Sequence, residues 1–213
     1  MTKHSFDAYI EANTLVIEEI RRSAWGLHDS VGQTYDKTLP YGHHLSMVAD
    51  AAICYGHEVA ASEEDILPIV FAAFYHDSIE DARLSYNDVV STARRFMNKP
   101  QSIIAAEIVY ALTNDKGRTR SERAGEHYYA GIRQTPYAPF VKLCDRLANM
   151  TYSFRRITDA TGPQLNEANH RMSLIYQSEW PHFLQSITVT PLPDVRYALP
   201  ASMVQAVERL LAD

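Results

Sequence analysis

Between Ile69 and Tyr75 the chain reads IVFAAFY, an unbroken apolar run, and the string His76-Asp77-Ser78-Ile79-Glu80-Asp81 follows it at once. A short apolar run fits either a buried strand or a buried helix. Here the low β-branched content, the acidic opening after Ser62 and Pro68 at a first-turn position favour a central helix. The charges that follow are the stronger constraint. Ionised groups are rarely set beside such a run unless something neutralises them, because an uncompensated buried charge is strongly unfavourable.

The remaining segments carry helical spacing. Apolar residues recur at Ile10, Leu15, Ile17, Ile20, Ala24 and Leu27, and again at Leu45, Val48, Ala52 and Tyr55. Further helices are expected over 86–97, 101–113, 120–134, 138–157 and 166–187, the last interrupted or kinked at Pro181, with an amphipathic helix closing the chain from 201. Turn formers dominate 29–42, 113–117 and 161–164. Residues 188–200 read as irregular, leaving room for up to two short strands in the last 30 residues. The expectation is an all-α helical bundle: a body over 1–180 and a C-terminal extension, 181–213, packed on it.

Composition excludes several functions. Lys and Arg number 20 against 26 Asp and Glu, for a net charge of −6, so there is no bulk attraction to nucleic acid or to an acidic membrane. A local basic pocket could still hold a phosphate. Cys54 and Cys144 lie in apolar stretches and read as buried free thiols in a reducing cytosol. No run approaches the roughly 20 apolar residues of a membrane span, and MTKHSFDAYIEAN lacks a signal peptide's apolar region. A cytoplasmic protein is expected. Phosphate-binding GxxxxGKS/T, nucleophile-elbow GxSxG and dinucleotide GxGxxG patterns are absent from the sequence.

On a helix, His76 and Glu80 would share one side, as would Asp77 and Asp81. Adjacent imidazole and carboxylate suit a divalent Mn, Fe, Zn or Mg ion. His44, in PYGHHLSMVA, and Asp145, in FVKLCDRLANM, extend the set. Asp145 sits in an apolar surround and needs either a metal or a basic partner, for which Lys142 and Arg146 are the candidates. Two nitrogens and two carboxylates leave open positions, where one metal could activate water and polarise a phosphoryl oxygen. Glu80 is the candidate for activating or orienting that water, and Asp81 for steering a ligand histidine or a water. Asn149, four residues after Asp145, could orient the water or hold a ribose oxygen.

These residues, with GQxxxxxxPYxxHxxxVA at 32–49, HDxxED at 76–81, TxDK at 113–116 and VKLxDRLxNM at 141–150, resemble the HD superfamily of metal-dependent phosphohydrolases. The fuller strings look like the hydrolase domain of the RelA/SpoT group and its small stand-alone relatives. The resemblance implies an all-helical domain with one divalent ion, usually Mn²⁺, and removal of the 3′-diphosphate from guanosine tetra- or pentaphosphate. It also implies metal ligation by His44, His76, Asp77 and Asp145, a catalytic acid pair in Glu80 and Asp81, and a water or nucleotide contact at Asn149.

The family usually places Arg-Lys shortly after Gly-Gln, for guanine stacking and phosphate contact. This chain has Tyr35 and Asp36 there, with Lys37 next. Tyr35 could stack on a base; Asp36 cannot attract phosphate. Arg120 matches a basic position of the small relatives and becomes the leading phosphate contact, and Tyr176 could either approach the nucleotide or pack in the core. Three functions follow: a guanosine-3′,5′-bis(diphosphate) 3′-pyrophosphohydrolase, an HD-type hydrolase of another phosphorylated nucleotide, or a non-catalytic nucleotide-sensing domain. The partner in each case is a small phosphorylated nucleotide.

Overall fold

The first helical stretch is two helices. α1 (Lys3–Ala12) and α2 (Thr14–Ser30) meet at Asn13, whose side-chain amide donates to the Tyr9 carbonyl at 2.8 Å. Thr2 caps α1 by accepting from the Ser5 amide. α2 turns Ile20, Ala24 and His28 inward, whereas Leu15, which spacing places on the apolar stripe, is 79% exposed. The computed structural model describes residues 1–37, 39–155, 157–159, 162–164 and 167–212; for 120, 121, 157–159, 162–164, 167 and 168 it describes the backbone alone.

A short hairpin follows, in which β1 (Thr34–Tyr35) pairs antiparallel with β2 (Leu39–Pro40). Asp36 and Lys37 take left-handed φ values of 50° and 63° in its turn. A short polar side chain tolerates that region when it bonds locally or is tethered, and the Tyr152 hydroxyl donates to the Asp36 carboxylate at 2.6 Å.

α3 (Gly42–Tyr55) and α4 (Ile66–Tyr75) come next. Ser62 and Asp65 form a capping box on the 3₁₀ turn that leads into α4. All ten residues of α4 are buried, as an all-round apolar helix requires. Full burial of side chains such as Ile66, Ile69, Val70 and Phe71 is worth about 1.5–3 kcal/mol each. Capping boxes also open α5 (Tyr86–Ala93), through Ser85 and Asp88, and α6 (Lys99–Leu112), through Asn98 and Gln101. α7 (Arg120–Arg123), α8 (Glu126–Gln134) and α9 (Ala138–Ser153) continue the chain. The hairpin of β3 (Ile157–Asp159) and β4 (Gly162–Gln164), then α10 (Glu167–Ile187) and α11 (Ala201–Ala212), complete it. α4 is enclosed by α2, α3, α6 and α9, and α9 packs in turn on α3, α8, α10 and α11.

The fold is the expected all-α bundle, with further local differences. α4 ends at Tyr75, so HDxxED lies in turns beyond the helix. There His76 Nδ1 meets the Ala73 carbonyl at 2.9 Å, and Arg83 takes a left-handed φ of 57°. The 120–134 segment divides at Ala124-Gly125 into α7 and α8. Cys54 is exposed, and Cys144 alone is buried. No strand forms among the described residues of the last 30. Pro191 and Pro193 lack the N–H a ladder needs, and Asp194 instead caps a 3₁₀ turn by accepting from the Arg196 amide at 2.9 Å. Among the described residues no helix is long and apolar enough to cross a membrane.

Candidate metal centre

Three helices converge on one cluster. The first turn of α3 carries His44, the residue after α4 is His76, and the middle of α9 carries Asp145. Both histidines are 2% exposed. Their Nε2 atoms approach to 3.3 Å, and Asp145 Oδ1 lies 3.4 Å from His44 Nε2 and 3.9 Å from His76 Nε2. One ligand atom from each of the three falls within 4.8 Å of the others. Asp77 joins them through Oδ2, 2.9 Å from His76 Nε2 and 3.8 Å from His44 Nε2. All four sequence-named ligand candidates therefore meet, although they come from three separate parts of the chain.

The donor set fits a divalent cation. Donation from His76 Nδ1 to the Ala73 carbonyl turns Nε2 towards the cluster, the orientation a metal-binding imidazole requires. Two imidazole nitrogens and two carboxylates are hard-to-borderline ligands suited to such an ion. The local charges are already strongly coupled. Burial opposes the charge on His76, yet Asp77 beside it lifts the imidazole to about 9. Burial likewise works against Asp77, and His76 overcomes it, holding the carboxyl below its ordinary range. Asp145 is held well below its ordinary range, despite burial, chiefly by Lys142 at 2.8 Å. Of the two basic candidates, Lys142 is thus the partner of Asp145; Arg146 points elsewhere, to Glu179 at 2.8 Å.

A second layer of polar contacts holds the carboxylates. The Tyr41 hydroxyl donates to Asp77. Asn149 donates to Asp145 Oδ1 at 2.6 Å, and the Tyr35 hydroxyl donates to Asn149 Oδ1 at 3.1 Å. The Tyr35 ring stacks on His44, with centroids 5.0 Å apart and planes inclined by 12°. Glu80 accepts from the Asn114 amide at 2.6 Å and from its side chain at 3.0 Å; partial loss of solvent, with the charge of Asp77, raises its pKa. Asp81 is raised by the same two causes and is reached by Tyr41 and Gln33.

A cavity of about 890 Å³ opens onto the cluster. His44, Asp77, Asp145, Asn149, Tyr35 and Tyr176 line it. Lys37 is exposed and is not among the lining residues, and the Arg120 side chain lies outside the described residues. Arg123 and Arg146 line the cavity instead. The Arg146 guanidinium lies 4.8 Å over the Tyr176 ring and 4.2 Å over the Phe183 ring. Sequence reasoning named Arg146 only as a possible partner of Asp145 and did not single out Tyr41; their positions beside Asp145 and within PYGHH were the available signals.

No curated protein matches the chain. A solved structure described as a metazoan ortholog of SpoT that hydrolyses ppGpp and plays a role in starvation responses aligns with a TM-score of 0.59. The alignment covers 92% of this chain and 94% of that one at 16% sequence identity, a likeness of fold. The HD domain family model matches residues 41–150. That span is half of the chain and contains His44, His76 and Asp145, and so the chain belongs to the HD domain family and is a metal-dependent phosphohydrolase of that type.

Proposed function

We propose that the chain is a Mn²⁺-dependent guanosine-3′,5′-bis(diphosphate) 3′-pyrophosphohydrolase, converting ppGpp to GDP and pyrophosphate. The observation that carries this reading is the cavity: at about 890 Å³ it lies near the top of the range for small-molecule sites, roughly 300–1,000 Å³. Its lining combines the carboxylate–histidine cluster with Lys142, Arg123, Arg146 and aromatic rings, which suits a nucleotide carrying more than one phosphate group.

His44, His76, Asp77 and Asp145 would hold the ion, which when bound lowers the pKa of water and polarises a phosphoryl oxygen. Glu80, with its raised pKa, takes the proton from the attacking water, and Asn114 holds its carboxylate in place. Asp81 orients the Tyr41–Asp77 edge. Water adds to the phosphorus next to the ribose, the bond from that phosphorus to the 3′ oxygen breaks, pyrophosphate departs with the water oxygen, and the 3′ oxygen takes up the proton that Glu80 accepted and leaves as the ribose hydroxyl. Arg123, which lines the cavity, and Arg120 supply positive charge for the phosphates, while Asn149 and Tyr176 contact the nucleoside. Guanosine tetraphosphate incubated with enzyme and Mn²⁺ should yield GDP and stoichiometric pyrophosphate.

A second reading, hydrolysis of another phosphorylated nucleotide, is favoured by the hairpin. Tyr35 is engaged with His44 and Asn149, and Asp36 with Tyr152, so neither side chain is spare for guanine or phosphate. Orthophosphate as primary product, or rapid cleavage of a nucleoside monophosphate with ppGpp left intact, would select this reading.

A further inference from the structure

We propose that Tyr35 is a positioning residue for the metal centre: its ring sets the plane of the His44 imidazole, and its hydroxyl holds Asn149 in the orientation that donates to Asp145. This inference rests on the metal-dependent reading of the cluster.

The two histidines are oriented by different means. His76 is fixed by a hydrogen bond from Nδ1 to a backbone carbonyl, the usual device for a ligand imidazole. His44 Nδ1 is buried and has no hydrogen-bond partner among the described residues. What lies against the His44 ring is Tyr35, nearly parallel at 12° and 5.0 Å away. Stacking restrains ring rotation where the hydrogen bond is missing.

The hydroxyl acts on the second ligand. A carboxylate can only accept, so Asp145 Oδ1 needs the NH₂ end of Asn149 facing it, as found at 2.6 Å. That choice turns Asn149 Oδ1 outwards, where the Tyr35 hydroxyl donates to it at 3.1 Å. A phenol is protonated at neutral pH, so the Tyr35 hydroxyl is the donor in this bond. With the amide reversed, oxygen would face oxygen at Asp145 and the Tyr35 bond would be lost. Asp145 Oδ1 is also the atom nearest His44 Nε2, at 3.4 Å. One tyrosine thus reaches two ligands, from a hairpin anchored to α9 through Asp36 and Tyr152.

The test compares wild type, Tyr35→Phe and Tyr35→Ala by Mn²⁺ titration calorimetry, by melting of the metal-free proteins, and by nucleotide KM at saturating Mn²⁺. Tyr35→Phe keeps the ring and should weaken Mn²⁺ binding several-fold, with no change in metal-free melting. Tyr35→Ala should weaken it about 10–100-fold, the scale for residues that support metal ligands. At saturating Mn²⁺ the KM of Tyr35→Phe should match wild type. Unchanged Mn²⁺ affinity in both variants overturns the proposal. So does a raised KM with unchanged Mn²⁺ affinity, which would make Tyr35 a base contact. A wild-type protein that takes up no ion overturns the metal reading itself and this inference with it, an outcome distinct from variants that bind like wild type. If Tyr35→Ala does not fold, the near-isosteric Tyr35→Phe decides alone.

Discussion

The Asp145 carboxylate divides its two oxygens between different duties: Oδ2 accepts from Lys142 at 2.8 Å, while Oδ1 faces His44 Nε2 at 3.4 Å. The pair is three residues apart on α9, with side chains 18% and 14% exposed. Lys142 therefore stabilises a carboxylate that burial alone would neutralise, and it leaves the other oxygen available to a cation.

Lys142→Met should remove that support. Breaking one side of a buried pair leaves an uncompensated charge, for which a loss of roughly 3 kcal/mol is expected. Denaturant unfolding of the metal-free protein should show it as a lower midpoint. Saturating Mn²⁺ should recover more stability in the variant than in wild type, because the ion then replaces the missing positive charge.

Metal uptake should depend on pH through His76. In the metal-free protein its pKa is raised from 6.5 to about 9. A raised histidine contributes stability that is fully present below the unfolded value and disappears as pH climbs through the folded one. The metal-free protein should therefore lose this contribution between pH 6.5 and 9. An ion must displace the same proton, so apparent Mn²⁺ affinity should rise by up to about tenfold per pH unit across pH 6–8. A flat titration over that range would contradict the charge state given to His76. Elemental analysis after dialysis should find one ion per chain, with most of it lost in Asp77→Ala.

Glu80→Gln should separate chemistry from metal binding. Glu80 is held by Asn114 and is not part of the histidine–aspartate cluster. The variant should keep its metal and its substrate KM, while kcat falls about 10²–10⁴-fold. A near-normal kcat removes Glu80 from the mechanism; simultaneous metal loss makes it a ligand.

Gly42→Ala should damage the site from a distance. Gly42 begins α3 two residues before His44, and a Cβ there would collide with the Trp25 ring of α2. Overpacking of this kind typically costs about 1–3 kcal/mol. Moving α3 to relieve it would shift His44, so both the melting temperature and Mn²⁺ affinity should fall. A variant with normal melting and weakened binding would localise the effect to the His44 turn.

The burial of α4, the capping boxes at Ser62, Ser85 and Asn98, and the residue types of the four ligand candidates are all properties of short sequence windows. Each depends on near neighbours: an apolar run has to be covered, and a Ser or Asn followed three residues later by Asp or Gln closes a helix start. The sequence by itself therefore determined an all-α bundle and named the side chains able to hold a metal. It could not determine that α4 stops at Tyr75, where the His76 ring meets the Ala73 carbonyl. Nor could it show that Tyr35 reaches Asn149 across 114 positions, or that Arg146 pairs with Glu179 and leaves Asp145 to Lys142. Those choices belong to the tertiary structure. A hydrogen bond or a ring stack between distant residues exists only after packing has brought α3, α9 and α10 together, and its energy falls away over fractions of an ångström that no local pattern encodes.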